Sequence, residues 1–296
     1  MQDINLHNIT IDQLYLPLLS EKNVEADVLR LDKIHPLVSG NKWFKLRYYL
    51  EDANKQGKQT IVTYGGAWSN HIIATAAICK INKLNCIGII RGEDANNLSP
   101  TLIEAKNLGM QLFFISREDY KNENVPDELK GNGYYLIPAG GYGIMGAEGA
   151  ATILNFCKRE NYTHICCAAG TGTMTAGLIK NSLPSNRVIA ISVLKDNLDI
   201  EKSIELLTGD DTKGFQLIHD YHFGGYAKQK PALIDFMNEF FRQTNIPSDF
   251  VYTGKLFFAV NDLIGKNFFA PGSRLLIIHS GGLQGNVSLS KGTLIF

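Results

Sequence analysis

Short apolar runs of strand length alternate with segments of helical period through most of this chain, and no other feature restricts its fold so much. Residues 60–66 (TIVTYGG), 85–92 (NCIGIIRG), 110–116 (MQLFFIS) and 134–141 (YYLIPAGG) read as strands in the first half. In the second half the strands are 163–170 (THICCAAG), 187–194 (RVIAISVL) and 274–282 (RLLIIHSGG). Helical spacing marks the segment carrying Trp43, Leu46, Leu50 and Ala53, the stretch from Asn70 to Lys80, and residues 145–160, 174–183, 232–244 and 255–266. Ser99 and Pro100 open one more helix, as cap and first-turn proline. Tight turns cannot join parallel strands, so this alternation predicts an α/β protein with mostly parallel sheets and helices on both faces. Such sheets place their chemistry at the carboxyl ends of strands.

The 296 residues are 45% hydrophobic, enough for one large core or two modest ones. Lysine plus arginine equals aspartate plus glutamate at 29 each, and no run of five like charges occurs. Neither nucleic acid nor an anionic membrane is therefore an expected partner. No apolar run approaches the ~18 residues of a membrane span. The start, MQDINLHNIT, lacks the basic region and apolar stretch of a secretory signal. Cys79, Cys86, Cys157, Cys166 and Cys167 are odd in number and show no zinc-ligand spacing, so they read as thiols in a reducing compartment. A cytoplasmic protein without a metal site is expected.

Glycine-rich corners carry the chemical signals. In GGAWSNH, residues 65–71, a turn leads into a helix whose first N–H groups can hold an anion, and Ser69, Asn70 and His71 add side-chain donors. The bland alternative there is a serine cap, but three polar groups behind Trp68 favour a carboxylate site. GGYGIMGAEG, residues 140–149, contains a formal G-x-G-x-x-G. The next strand ends without the acidic residue a dinucleotide ribose needs, so this is not read as an NAD site. AAGTGTMTAG, residues 168–177, joins a strand directly to a helix. Gly170 and Gly172 let backbone approach an oxyanion, Thr171, Thr173 and Thr175 add hydroxyls, and the helix dipole adds partial positive charge. With no lysine following, the loop suits a single phosphate monoester rather than a nucleoside triphosphate. HSGGLQGN, residues 279–286, could by itself be any tight loop, and His279 reads as a satisfied buried histidine.

SGNKWFKL, residues 39–46, places Lys42 in the first turn of a helix, where the dipole disfavours a cation. Burial beside Trp43 would also favour the neutral amine. An amine that attacks an aldehyde, together with a loop for one phosphate, points to pyridoxal 5′-phosphate.

SGNKWFKL resembles the lysine motif of the aminocyclopropane-carboxylate deaminase and D-cysteine desulfhydrase family, pyridoxal-phosphate enzymes with the fold of the tryptophan synthase β subunit. The likeness runs through most of the chain in the family's order: SGNK, GGAWSNH, IPAGGYGIMGAEG, AAGTGTMTAG, FGGY, VYTGK and HSGG. It implies a two-domain, three-layer α/β/α protein. Residues 1–43 with 155–296 would form a large cofactor domain, and 44–154 a small domain that closes on the substrate. The resemblance further implies that Lys42 links to the cofactor and moves the proton at the substrate's α or β carbon. Asn70 would bond the cofactor's 3′ oxygen, and Ser69 with His71 the substrate carboxylate. Thr171, Gly172, Thr173 and Met174, beside Gly170, would hold the phosphate. Tyr226 would reach into the substrate pocket, and Tyr252 would lie against cofactor or substrate as an acid/base or positioning group.

Three positions bear on the reaction. Thr253 stands where cyclopropane deaminases carry a glutamate that keeps the pyridine nitrogen protonated, and Ser280 where they carry leucine and desulfhydrases threonine. His71, where deaminases usually have glutamine, agrees with the second activity. Trp68 replaces a usual glutamine and would narrow the pocket. The chain is also shorter than typical members between the phosphate loop and FGGY. The expected activity is D-cysteine desulfhydrase-type β-elimination, giving a 2-oxo acid, ammonia and sulfide. The alternatives are ring opening of 1-aminocyclopropane-1-carboxylate to 2-oxobutyrate, a lyase for L-serine or L-threonine, and a non-catalytic member that binds an amino acid. A homodimer is what the resemblance implies.

Overall fold

The computed structural model describes residues 4–93, 97–131, 133–197, 199–209 and 214–296, so the first three residues of MQDINLHNIT lie outside it. In chain order the strands are β1 (Ile11–Gln13), β2 (Glu25–Arg30), β3 (Thr60–Gly65), β4 (Asn85–Arg91) and β5 (Met110–Ile115). They continue with β6 (Tyr134–Ile137), β7 (His164–Ala169), β8 (Arg187–Ser192), β9 (Phe215–Ile218) and β10 (Arg274–His279). The first helices are α1 (Pro17–Lys22), α2 (Asn41–Lys55), α3 (Asn70–Ile81), α4 (Pro100–Asn107) and α5 (Arg117–Lys121). The later ones are α6 (Ile144–Ala151), α7 (Thr173–Asn181), α8 (Ile200–Thr208), α9 (Pro231–Thr244) and α10 (Thr253–Gly265).

The strands form a larger sheet in the order β1-β2-β10-β7-β8-β9 and a smaller one in the order β5-β4-β3-β6. Every pairing is parallel except β1 with β2 at the edge of the larger sheet. Inner strands such as β7 and β8 are buried along nearly their whole length, which is why they read as continuous apolar runs. β2 escaped that reading because Glu25, Asp27 and Arg30 interrupt it. Its polar groups find tertiary partners instead: Asp27 accepts a hydrogen bond from Tyr162 Oη at 2.7 Å, and Arg30 forks onto Asp32.

The helix expected over 145–160 stops at Ala151 and gives way to 3-10 turns at Thr152–Phe156 and Arg159–Asn161. Thr152 Oγ1 donates back to Gly149 O at 2.7 Å, a bond that competes with the helical ladder. The glycines of that region have a packing use. A Cβ at Gly149 would lie 1.9 Å from Phe44 O, and one at Gly177 2.5 Å from Ala147 O, so α6 fits closely between α2 and α7. α2 itself touches both cores. Phe44 packs with Ala147, Leu154 and Ile165, whereas Leu46, Leu50 and Ala53 pack with Ile61 and Ile78. The helix that starts with the motif lysine thereby joins the two sheets.

Candidate active site

Lys42 enters a cavity between the two sheets because its helix starts from an interlock of two distant corners. Gly40 adopts φ +62°, and a Cβ there would lie 1.8 Å from Ser280 O. Asn41 N–H donates to Ser280 O at 3.1 Å, and Gly282 N–H donates to Ser39 Oγ at 3.2 Å. The SGNK and HSGG segments thus hold each other, with the end of β10 placing the start of α2. Lys42 Nζ donates to Asn41 Oδ1 at 2.6 Å and lies 5.9 Å from the centre of the Tyr252 ring. Burial pushes its pKa down to about 8, with the Asp249 carboxylate pulling the other way. The neutral amine expected at this position is accordingly accessible near neutral pH.

The loop between β7 and α7 forms another wall. Gly170, Thr171, Gly172 and Met174 line the cavity, whereas Thr173 is fully buried with its Oγ1 3.0 Å from Thr171 Oγ1. Gly172 caps α7 and has no side chain to satisfy the helix's first N–H groups. Asn197 Nδ2 donates to Gly170 O at 3.3 Å and steadies the turn. Sequence reasoning pictured this cradle with neutral donors alone and missed Lys45. That side chain also lines the cavity, is buried, and has Nζ 3.5 Å from Gly140 O. Burial, with Lys42 nearby, holds its pKa well below the ordinary lysine value. Three residues after Lys42, it falls one turn along the same face of α2, the one signal that could have found it.

From the smaller sheet, β3 and α3 contribute Ser69, Asn70 and His71, all on the cavity wall. Ser69 is a true helix cap: its Oγ accepts from His71 N–H and Ile72 N–H, each at 3.3 Å. Accepting twice leaves its own hydroxyl proton free to donate, so cap and anion donor are compatible roles. Asn70 reaches across to the larger sheet's last loop, where a Cβ on Gly282 would lie 2.8 Å from its Nδ2. The His71 ring is buried, and its Nε2 lies 2.8 Å from Thr63 Oγ1.

Tyr226 and Tyr252 line the cavity together with their ring centres 6.3 Å apart. Tyr226 Oη also comes within 3.5 Å of Trp68 O, bridging the two sheets' contributions, although the Trp68 side chain is not part of the lining. Lys255, whose role the sequence did not disclose, fixes the loop behind Tyr226. Fully buried, it donates to His222 O at 2.8 Å and Gly225 O at 2.7 Å. Ser280 is on the lining, but Thr253 is not. Thr253 Oγ1 donates to Asp249 Oδ1 at 2.7 Å and accepts from Asp249 N–H at 2.8 Å, so its proton is committed. Asp249 was likewise missed, because its task is defined by fold. Its carboxylate also receives the N–H groups of Val251, Tyr252 and Thr253 at 2.9 to 3.0 Å, capping α10.

This donor set fits pyridoxal 5′-phosphate: a half-buried lysine of lowered pKa, a second, buried lysine, and a glycine–threonine turn at the N-terminus of a nine-residue helix. A family model described as pyridoxal-phosphate dependent enzyme matches residues 13–281. A Pyrococcus abyssi protein is 31% identical, aligned over 92% of this chain and 88% of its own. One from Thermotoga maritima is 30% identical over 94% of this chain and 95% of its own. Both carry 1-aminocyclopropane-1-carboxylate deaminase as a provisional name. Among solved structures, a homologue of that deaminase superposes with a TM-score of 0.81 at 28% identity, covering 94% of this chain and 90% of its own. A hydrogen sulfide-producing enzyme from Fusobacterium nucleatum shares the fold, with a TM-score of 0.68 at 14% identity over 94% and 96% of the two chains. The chain therefore belongs to the pyridoxal-phosphate dependent enzymes, in the branch related to aminocyclopropane-carboxylate deaminase, and its fold is that of the tryptophan synthase β subunit.

Proposed function

We propose that this protein is a lyase that eliminates the β substituent of D-cysteine or a related D-amino acid, consuming one water and releasing a 2-oxo acid, ammonia and sulfide. Bound pyridoxal phosphate supplies the electron sink for loss of the α proton. Lys42, with the lowered pKa that burial confers, takes that proton and passes it to the departing thiolate. The Ser69 hydroxyl and the first N–H groups of α3 hold the substrate carboxylate. Thr171, Gly172, Met174 and Lys45 hold the phosphate, with Thr173 supporting Thr171 from behind. Tyr226 and Tyr252 flank the substrate position, and Asn70 orients the ring from the opposite sheet.

One observation carries the choice of reaction. Where cyclopropane deaminases place a glutamate, Thr253 is neutral and turned onto Asp249, whose charge is absorbed by the N-terminus of α10. Thr253 has no carboxylate of its own to keep a ring nitrogen protonated, and a weaker sink suits departure of a good leaving group such as thiolate. Ser280 on the cavity wall, in place of leucine, supports the same reading. The names of the 30–31% identical relatives favour the rival, ring opening of the cyclopropane. Purified holoenzyme assayed with both substrates decides between them. Pyruvate and sulfide from D-cysteine are expected, and 2-oxobutyrate from the cyclopropane alone would overturn the proposal.

A further inference from the structure

The cavity wall is rich in donors, and among the described residues two of its buried acceptors lack a partner, Gln284 Oε1 and His71 Nδ1. Lys42, Lys45, the Ser69 hydroxyl and the α7 N–H groups all offer protons. His71 does not, and its neighbours fix why. Thr63 is fully buried on β3, and its Oγ1 lies 2.8 Å from Ile137 O. A carbonyl only accepts, so the single Thr63 hydroxyl proton points there. The contact of 2.8 Å between Thr63 Oγ1 and His71 Nε2 then requires the ring to donate. The imidazole proton therefore sits on Nε2. Nδ1 is buried and finds no hydrogen-bond partner among the described residues, on a side chain that lines the cavity and is 2% exposed. Burial, reinforced by Lys42 and Lys45, lowers the His71 pKa to about 3, so the ring stays neutral.

We infer that His71 Nδ1 is a fixed acceptor that recognises a hydrogen-bond donor on the substrate's β carbon, a thiol or a hydroxyl. This deepens the lyase reading above and rests on it for the orientation of the substrate. It also moves the His71 side chain away from the carboxylate, since one acceptor does not bind another, and leaves that anion to Ser69 and the start of α3. The α-amino group is common to all amino-acid substrates, so only a β donor lets this acceptor discriminate. Thr63, which touches no substrate, becomes a positioning residue through its control of the tautomer.

The test uses holoenzyme labelled with ¹⁵N-histidine, with serine and alanine of the same enantiomer as probes. The nitrogen resonances should show a neutral His71 protonated at Nε2, and an Nδ1–H tautomer or an imidazolium would overturn the inference. Dissociation constants are then read from the change in the bound cofactor's absorption. Wild type should hold serine about tenfold more tightly than alanine, the scale of one buried hydrogen bond. Thr63→Ser should keep that preference, and Thr63→Val, which removes the partner of Nε2–H, should lose it. Equal binding of the two amino acids by wild type, or an unchanged preference in Thr63→Val, would refute the role. Failure to release sulfide from cysteine would instead count against the lyase reading and leave these readouts intact.

Discussion

At the scale of single residues, Lys42 and its surroundings define the chemistry. Lys42→Ala should lower turnover by at least about a thousandfold while the fold persists, as stopped assays of 2-oxo acid release and circular dichroism would show. A second consequence is a pH profile. The amine captures the cofactor aldehyde, and burial lowers its pKa to about 8, so the rate at which apoenzyme takes up pyridoxal phosphate should climb with pH and level off above about 8. A lysine of ordinary pKa would keep gaining reactivity past pH 10. Lys42 and Ser69 were legible because each sits in a local motif whose spacing already implies a helix start or a corner, whereas Tyr226 and Tyr252 were marked only by the family resemblance. Lys45 was not, since a lysine one turn into an amphipathic helix looks like any solvated surface residue until the fold buries it. Asp249 and Thr63 were invisible for a related reason. Their roles depend on partners that only tertiary structure supplies.

At the scale of elements, the corners hold one another rather than standing alone. Gly40→Ala would force a side chain into Ser280 O at a positive φ, and should cost about 3 kcal/mol or more by denaturant unfolding. Lys255→Met would strip the carbonyls of His222 and Gly225 of the ammonium that ties them together, leaving each with a single backbone N–H donor. The loop bearing Tyr226 should then loosen, raising KM about tenfold while the cofactor's absorption spectrum stays unchanged. Most strands and helices of the α/β core could be read from period alone. β2, with its buried salt bridges, and the end of α6, where a threonine folds back on the chain, could not, because side-chain partners overrode the pattern.

For the whole molecule, the cavity lies where two mostly parallel sheets meet, and Asn70 and Tyr226 reach across it. We propose that residues 44–154 move as a unit against 1–43 with 155–296. Small-angle scattering should then report a more compact particle once a slowly processed amino acid is bound. Light scattering should give the mass of a homodimer. The clasp between Ser39–Gly40 and Ser280–Gly282 has a consequence in time as well as in space. β10 is inserted between β2 and β7, yet it is made after both of them. A ribosome releases Lys42 early and keeps it waiting through some 230 further residues before its pocket can close. Loading of the cofactor thus waits until β10 has been made and docked. A chain cut short ahead of Arg274 should accordingly stay colourless however much pyridoxal phosphate is added, which its absorption spectrum would show.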